Sequence, residues 1–240
     1  MAGMSQKPQE PAPYRKSVPR EYLESIVVAV ILALFIRTFV VQAFKIPTGS
    51  MERNLLIGDH LLVNKLVYSP SLAPWEATLL GKKPIRRGHV IVFKFPEDPN
   101  RDFIKRVIGL PGETVEVRDK VVYVNGKPLE EGYTHFIEAP LRRDDPEYAL
   151  RGDNLRDNWG PRQVPPGQLF VMGDNRDNSR DSRSWGFLPE DQVKGRALLV
   201  YWSYEATREE YHRTGLLNWM RDTLSAFGKT RWDRFFHLIR

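Results

Sequence analysis

The sequence predicts a mainly β fold: antiparallel sheets with a polar inserted subdomain, one transmembrane helix before them and an amphipathic helix after them. Three observations carry that expectation. An uncharged apolar run, Ser25–Ile36, stands near the N-terminus; short β-branched and aromatic runs broken by Gly, Pro and Asn follow it; and helical spacing of large apolar residues returns after residue 205.

Composition limits the chemistry before any motif is read. The 240 residues are 41% hydrophobic and 28% charged, a globular balance that suits one or two domains. There is no cysteine, which excludes a disulfide, a thiolate zinc site and a Cys nucleophile. A net charge of +6 suits nucleic acid and an anionic membrane surface about equally. The apolar run tips the balance toward membrane.

Residues 1–20 are polar and Pro-rich, carry Lys7, Arg15, Lys16 and Arg20, and predict a disordered tail. Residues 21–37 predict the span. A helix of roughly 16 residues is about 24 Å long, short of the ~30 Å hydrocarbon core, so the expectation needs Arg37 to snorkel and Phe39–Phe44 to stay near membrane depth. A buried core helix and a cleaved signal peptide are the alternatives, although no small-x-small site follows the run. Basic residues before the span point the N-terminus inward.

Strands are expected at His60–Lys65, His89–Phe95, Phe103–Ile108, Thr114–Val117, Lys120–Val124, Gln168–Met172 and Ala197–Trp202. Asp119-Lys120 and Asn125-Gly126 supply hairpin turns. The β domain thus occupies 38–126 and 167–204; the polar stretch 127–166 reads as an insert that the core does not need. Residues 205–240 are basic and place Leu216, Leu217, Trp219, Met220, Leu224 and Phe227 on one helical side, then Trp232, Phe235, Phe236, Leu238 and Ile239. Such a helix suits a membrane surface nearly as well as packing on the β domain.

Histidines 60, 89, 135, 212 and 237 are scattered without metal-ligand spacing. Asp174–Asp181 puts Arg176 on a would-be ligand position and lacks the turn glycine of a calcium loop. No phosphate-cradling loop or dinucleotide fingerprint is present. The expectation is therefore no metal and no cofactor.

Ser50 stands in the turn-like string Ile46-Pro47-Thr48-Gly49-Ser50-Met51 soon after the span, a place that suits a nucleophile at a membrane surface. Its base would be neither Cys nor His, and lysine can serve. Holding a lysine neutral at pH ~7.5 requires roughly 4 kcal/mol, which burial among apolar strand residues can supply. Lys105, between Phe103-Ile104 and Val107-Ile108, is the candidate, although pattern alone favours an outward strand lysine.

Five features in order resemble the bacterial type I signal peptidases: the anchor, IPTGSM around Ser50, GDHLLVNK at Gly58–Lys65, FIKRVIGLPGE at Phe103–Glu113 and GDNRDNSRDSRSWG at Gly173–Gly186. The resemblance implies that Ser50 is the acyl-forming nucleophile and Lys105 the general base. It implies that the Thr48 hydroxyl joins the Ser50 N–H in an oxyanion hole, that Ser179 orients the lysine, and that Asp181 with Arg183 and Arg106 with Asp174 are supporting ion pairs. Ile46, Pro47, Met51, Leu55 and Ile104 match positions of shallow P1 and P3 subsites; core packing is the alternative for all five.

The implied function is removal of signal peptides from exported preproteins after Ala-x-Ala-type small residues. The implied setting is the cytoplasmic (inner) membrane, single-pass, with the N-terminus cytoplasmic and the catalytic domain on the extracytoplasmic side. Preprotein signal peptides and membrane lipid are the expected partners, with a functional link to the export translocase and no nucleic acid. A self-cleaving Ser/Lys repressor-type protease shares the dyad, and a non-catalytic membrane-bound β scaffold is the reading from another class. One departure stands out: Arg53-Asn54 replaces the family's usual Pro-Thr, so the chain beyond the nucleophile is expected to be less constrained.

Overall fold

The computed structural model describes residues 18–66, 68, 84–137, 156–205 and 228–239. The chain divides into two units, 1–38 and 39–240. Residues 1–17 of the expected tail, 138–155 of the insert, and 206–227 with Leu216–Phe227 all lie outside the described residues.

In the first unit, helix α1 spans Val18–Phe35 and continues as a π-helical turn over Ile36–Val40, which runs into the second unit. The helical stretch Val18–Val40 has 23 residues, contains an 18-residue window of mean hydropathy 2.3, and has no buried residue. At 1.5 Å per residue it is about 34 Å long, enough for the hydrocarbon core. The expected span of 21–37 is thus lengthened at both ends, because Val18 onward and Ile36–Val40 stay helical. Val41 instead opens the first strand, so Phe39–Phe44 divides between helix end and sheet.

The second unit is built from strands: β1 Val41–Lys45, β2 Asp59–Asn64, β3 Val90–Phe95, β4 Asp98–Gly109, β5 Thr114–Arg118, β6 Val121–Val124, β7 Lys127–Pro128, β8 Trp159–Gln163, β9 Gln168–Met172, β10 Leu188–Pro189, β11 Val193–Ser203 and β12 His237–Leu238. A short helix, α2, covers Ser182–Trp185. One antiparallel sheet runs β1-β2-β11-β3-β4-β9-β10, with β12 added against β11; a second runs β7-β6-β5-β8. All seven expected strands exist, three of them longer than expected.

The hairpins follow turn chemistry. Asp119-Lys120 has φ of 47° and 68° and Asn125-Gly126 has 51° and 77°, the left-handed pairs that a two-residue turn matched to strand twist requires.

The insert meets a different arrangement from the one expected. Its ends belong to the second sheet: β7 pairs with β6 and β8 with β5. Trp159 and Val164 are buried in that sheet's core beside Val115, Val117 and Phe170. Pro and Gly made this stretch read as a loop, yet Trp159 packs against Phe170 with ring centres 4.4 Å apart and planes tilted by 38°, and brings the strand in.

The C-terminus also differs. Gly228 and Lys229 are helical, and beyond them the described chain forms a 3-10 turn, Trp232–Arg234, and β12, with Ile239 buried against Ile46, Met51 and Leu55. This end of the chain therefore packs on the β domain.

Candidate active site

Strand β4 explains how a lysine is buried. It is flanked by β3 and β9, and all six residues from Ile104 to Gly109 are buried. Ile104, Val107 and Ile108 feed three different core clusters, so this half of the strand has no solvent face. A lysine here is enclosed whichever way it points. Lys105 is 3% exposed, and burial lowers its amine from 10.5 to about 8 against the raising effect of Asp181 and Asp174.

Between β1 and β2 the chain makes a 3-10 turn over Gly49–Met51. It carries Ser50, 9% exposed, whose Oγ lies 2.7 Å from Lys105 Nζ. The amine also donates to the Ile104 carbonyl at 2.9 Å. Thr48 precedes the turn in extended conformation and is exposed, and its side chain does not cap the turn. Its hydroxyl is therefore not engaged in capping the turn.

The segment Gly173–Gly186 wraps this pair. Asn175 donates its N–H to the Ser50 carbonyl at 3.2 Å and its side-chain amide to the Gly49 carbonyl at 3.2 Å. Arg106, next to Lys105 on β4, grips Asp174 through two bonds of 2.8 and 2.7 Å and donates to the Gly88 carbonyl at 2.8 Å. Tyr133 lies over that guanidinium at 4.0 Å. Asp181 caps α2, accepts from Arg183 at 2.9 and 2.8 Å, and accepts the Gly173 N–H at 3.1 Å. Burial alone would raise the Asp181 carboxyl; the Arg183 guanidinium, the Gly173 N–H and the neighbouring Ser179 hydroxyl overcome it and hold the group below the usual carboxylate range.

Ser179 contributes to that field without meeting the geometry of a hydrogen bond: its buried hydroxyl has no partner among the described residues. It lies beside Gly173 and the Ser50 carbonyl, since a Cβ on Gly173 would meet Ser179 Oγ at 2.3 Å and the Ser50 oxygen at 2.5 Å. The Ser50 contact is to backbone and cannot be relieved by a rotamer change. Gly173→Ala is expected to displace the Ser50 turn and lower turnover by about 100-fold, measured on purified protein whose circular dichroism is unchanged.

Of the positions matched to substrate pockets, Ile46, Met51 and Leu55 are enclosed in the first core cluster, with Met51 and Leu55 at 0% exposure. Pro47 is half-buried and Ile104 retains 9%. The residues missed in the sequence were Asn175, Gly173, Tyr133 and Asn54. The first two stand inside the string around Asp174, where they read as turn residues.

Asn54 also corrects the expectation of a loose turn. Arg53 has φ 85°, which proline cannot adopt, so this chain leaves the nucleophile by a different backbone path. Asn54 holds that path through its amide, which donates to Asp174 Oδ2 at 2.6 Å and to the Tyr133 carbonyl at 3.1 Å.

The remaining acidic group of the loop is also paired: Lys120 reaches Asp177 at 2.7 Å. Among the described residues no cluster of three His, Asp or Glu has the geometry to hold a metal ion.

The model of the family described as "Signal peptidase, peptidase S26" matches residues 19–202. The signal peptidase I of Leptolyngbya laminosa is 41% identical over 205 residues, covering 81% of this chain and 87% of that protein. The signal peptidase I of Pseudomonas fluorescens is 33% identical over 229 residues, covering 82% and 78%. A crystal structure of a signal peptidase I from Enterococcus faecalis is 35% identical and covers 48% of this chain and 97% of that one, with a TM-score of 0.36.

Proposed function

Since this chain belongs to the signal peptidase S26 family of signal-peptide-cleaving serine endopeptidases, we propose that Ser50 is its nucleophile and Lys105 its general base. The observation that supports this most directly is the 2.7 Å contact between Ser50 Oγ and a buried amine held near 8. A neutral amine accepts the Ser50 proton as Oγ attacks the scissile carbonyl. The proton then passes to the leaving amine, which departs as the new N-terminus of the mature protein. Lys105, again neutral, takes a proton from water, whose attack on the ester frees Ser50.

In each half-reaction the developing oxyanion needs donors that are already aimed. The Ser50 N–H and the Thr48 hydroxyl fill that role in this reading, consistent with the exposure of Thr48. Asn175 supports the turn from behind, Asp174 with Arg106 and Asp181 with Arg183 fix the loop, and Ser179 stands ready to orient the amine. Pro47 and Ile104 give the small-residue subsites their accessible surface, while Ile46, Met51 and Leu55 form the floor beneath. A shallow floor rejects bulky side chains by overlap.

The test is cleavage of a preprotein with an Ala-x-Ala site by the full-length protein in detergent. Ser50→Ala is expected to be inactive. Thr48→Val is expected to lower kcat by about 100- to 1,000-fold with KM little changed, the usual cost of losing one oxyanion donor. Equal rates for wild type and Ser50→Ala would refute the assignment.

The apolar helix Val18–Val40 fits a membrane-anchored enzyme. Placement in the cytoplasmic membrane, with the N-terminus inside and the β domain outside, is supported by the basic residues that precede the helix. A substrate delivered by the export translocase and a lipid surface contacting Trp232 and Phe236, 56% and 71% exposed, belong to the same reading. Nucleic acid is assigned no role in this reading; the buried arginines of the site, Arg106, Arg176 and Arg183, are each paired with a carboxylate and serve the loop.

A further inference from the structure

The far end of the chain reaches the segment that carries Ser50. Strand β12 pairs with β11 through Leu199 opposite Leu238 and Val200 opposite His237. The Ile239 N–H donates to the Leu198 carbonyl at 2.9 Å, and its side chain enters the cluster of Ile46, Met51 and Leu55, residues before, within and after the nucleophile turn. Just before β12, the 3-10 turn at Trp232–Arg234 sets two arginines toward the chain beyond Ser50. Arg231 donates to the Ile57 carbonyl at 3.1 Å. Arg234 donates to both oxygens of the wholly buried Asp59, at 3.1 and 2.7 Å, and to the Asn54 carbonyl at 2.8 Å.

Those three acceptors control the exit from the turn. Asp59 also accepts the Leu56 N–H at 2.8 Å, and its carbonyl accepts the N–H of Ile46 at 2.8 Å, four residues before Ser50. Asn54 in turn holds Asp174 through its amide. One planar guanidinium therefore fixes both flanks of the turn at once. A lysine has the charge but lacks the rigid fork that meets three acceptors together.

We propose that the C-terminal strap Arg231–Ile239 holds the nucleophile turn in register with Lys105, with Arg234 as the positioning residue. The proposal rests on Ser50 being the nucleophile. Arg234 touches neither Ser50 nor Lys105, so its effect is on how often Ser50 Oγ lies within reach of the amine. Displacement by about 1 Å is enough to lower the rate by about 100-fold.

The experiment compares full-length protein in detergent as wild type, Ser50→Ala, Arg234→Ala, Arg234→Lys and the neutral pair Asp59→Asn/Arg234→Gln. Val122→Ala, a cavity in the core of the other sheet, serves as a destabilised control. Preprotein cleavage is followed well below each variant's Tm. Arg234→Ala is expected to lose about 100-fold in kcat and Arg234→Lys about 10-fold, with KM changed less than about threefold. Val122→Ala should lose Tm but keep kcat, and the neutral pair should regain Tm without regaining kcat. The strap proposal is overturned if Arg234→Lys and the neutral pair both turn over at the wild-type rate while Ser50→Ala is inactive, or if kcat simply follows Tm across the series. An active Ser50→Ala would instead overturn the nucleophile assignment.

Discussion

Replacing Lys105 with methionine is expected to abolish preprotein cleavage, with a loss of at least about 10,000-fold in turnover, the scale seen when one member of a coupled nucleophile and base is removed. The same substitution is expected to stabilise the fold at neutral pH. Burial lowers the amine from 10.5 in the unfolded chain to about 8 in the folded one, a difference of about 3 kcal/mol at 1.36 per unit. Between these values the unfolded chain holds a proton that the folded chain has released, so stability rises with pH across that window. Below about pH 8 the penalty is present in full, and methionine removes it. The loss of the hydrogen bonds to Ser50 and to the Ile104 carbonyl offsets about 1 kcal/mol each. Urea unfolding at pH 7 measures the net gain, and a less stable methionine variant would contradict the buried, depressed amine.

The same number sets the pH profile of the wild type. Only the neutral amine accepts the serine proton, so kcat/KM is expected to fall about tenfold per pH unit below an apparent pKa near 8. A flat profile between about pH 6 and 9 would exclude Lys105 as the base.

Asp181→Ala carries the second large effect. It leaves the Arg183 guanidinium buried without its carboxylate, removes the acceptor of the Gly173 N–H, and uncaps α2. Breaking a buried ion pair by removing one partner costs about 3–5 kcal/mol, which urea unfolding should report. Asp181→Asn keeps the shape and removes the charge. Because Asp181 raises the Lys105 amine and Arg183 lowers it, losing the carboxylate leaves the guanidinium unopposed. The acid limb of the Asn variant is therefore expected to move to lower pH even as stability falls. An unmoved limb would mean that Asp181 supports the loop without setting the field at Lys105. In the wild type the contribution runs with the depressed carboxyl: present above the ordinary carboxylate range and lost as pH falls through the folded value.

Much of the fold was legible because its signals are local. Thr114–Val124 alternates around Asp119-Lys120, and Asn125-Gly126 supplies two further left-handed positions; a hairpin follows from sterics within a dozen residues. The apolar helix was legible for the same reason, though its ends were not, since Ile36–Val40 is β-branched and aromatic and reads as either helix or strand. Trp159–Gln163 was missed because strand β8 is held by long-range pairing and by the packing of Trp159 against Phe170. The last residues were read as helix because aromatic spacing does not distinguish a helix from a strap laid along β11.

The sequence by itself determined which groups the chemistry can use. With no cysteine and no ordered histidines, a serine with a lysine partner was an arrangement the chain could offer, though pattern alone favoured an outward Lys105; the ordered boxes carried the family resemblance that paired it with Ser50. The tertiary structure decided everything that depends on distance and burial. Strand β4 is covered on both sides, which removes the outward face on which Lys105 would have kept its proton. Asn175 and Gly173 close on the Ser50 backbone from more than a hundred residues away, and Asn54 and Arg234 secure a turn that the sequence left loose. Such roles arise from contacts between segments remote in the chain, and periodicity within one segment carries no trace of them.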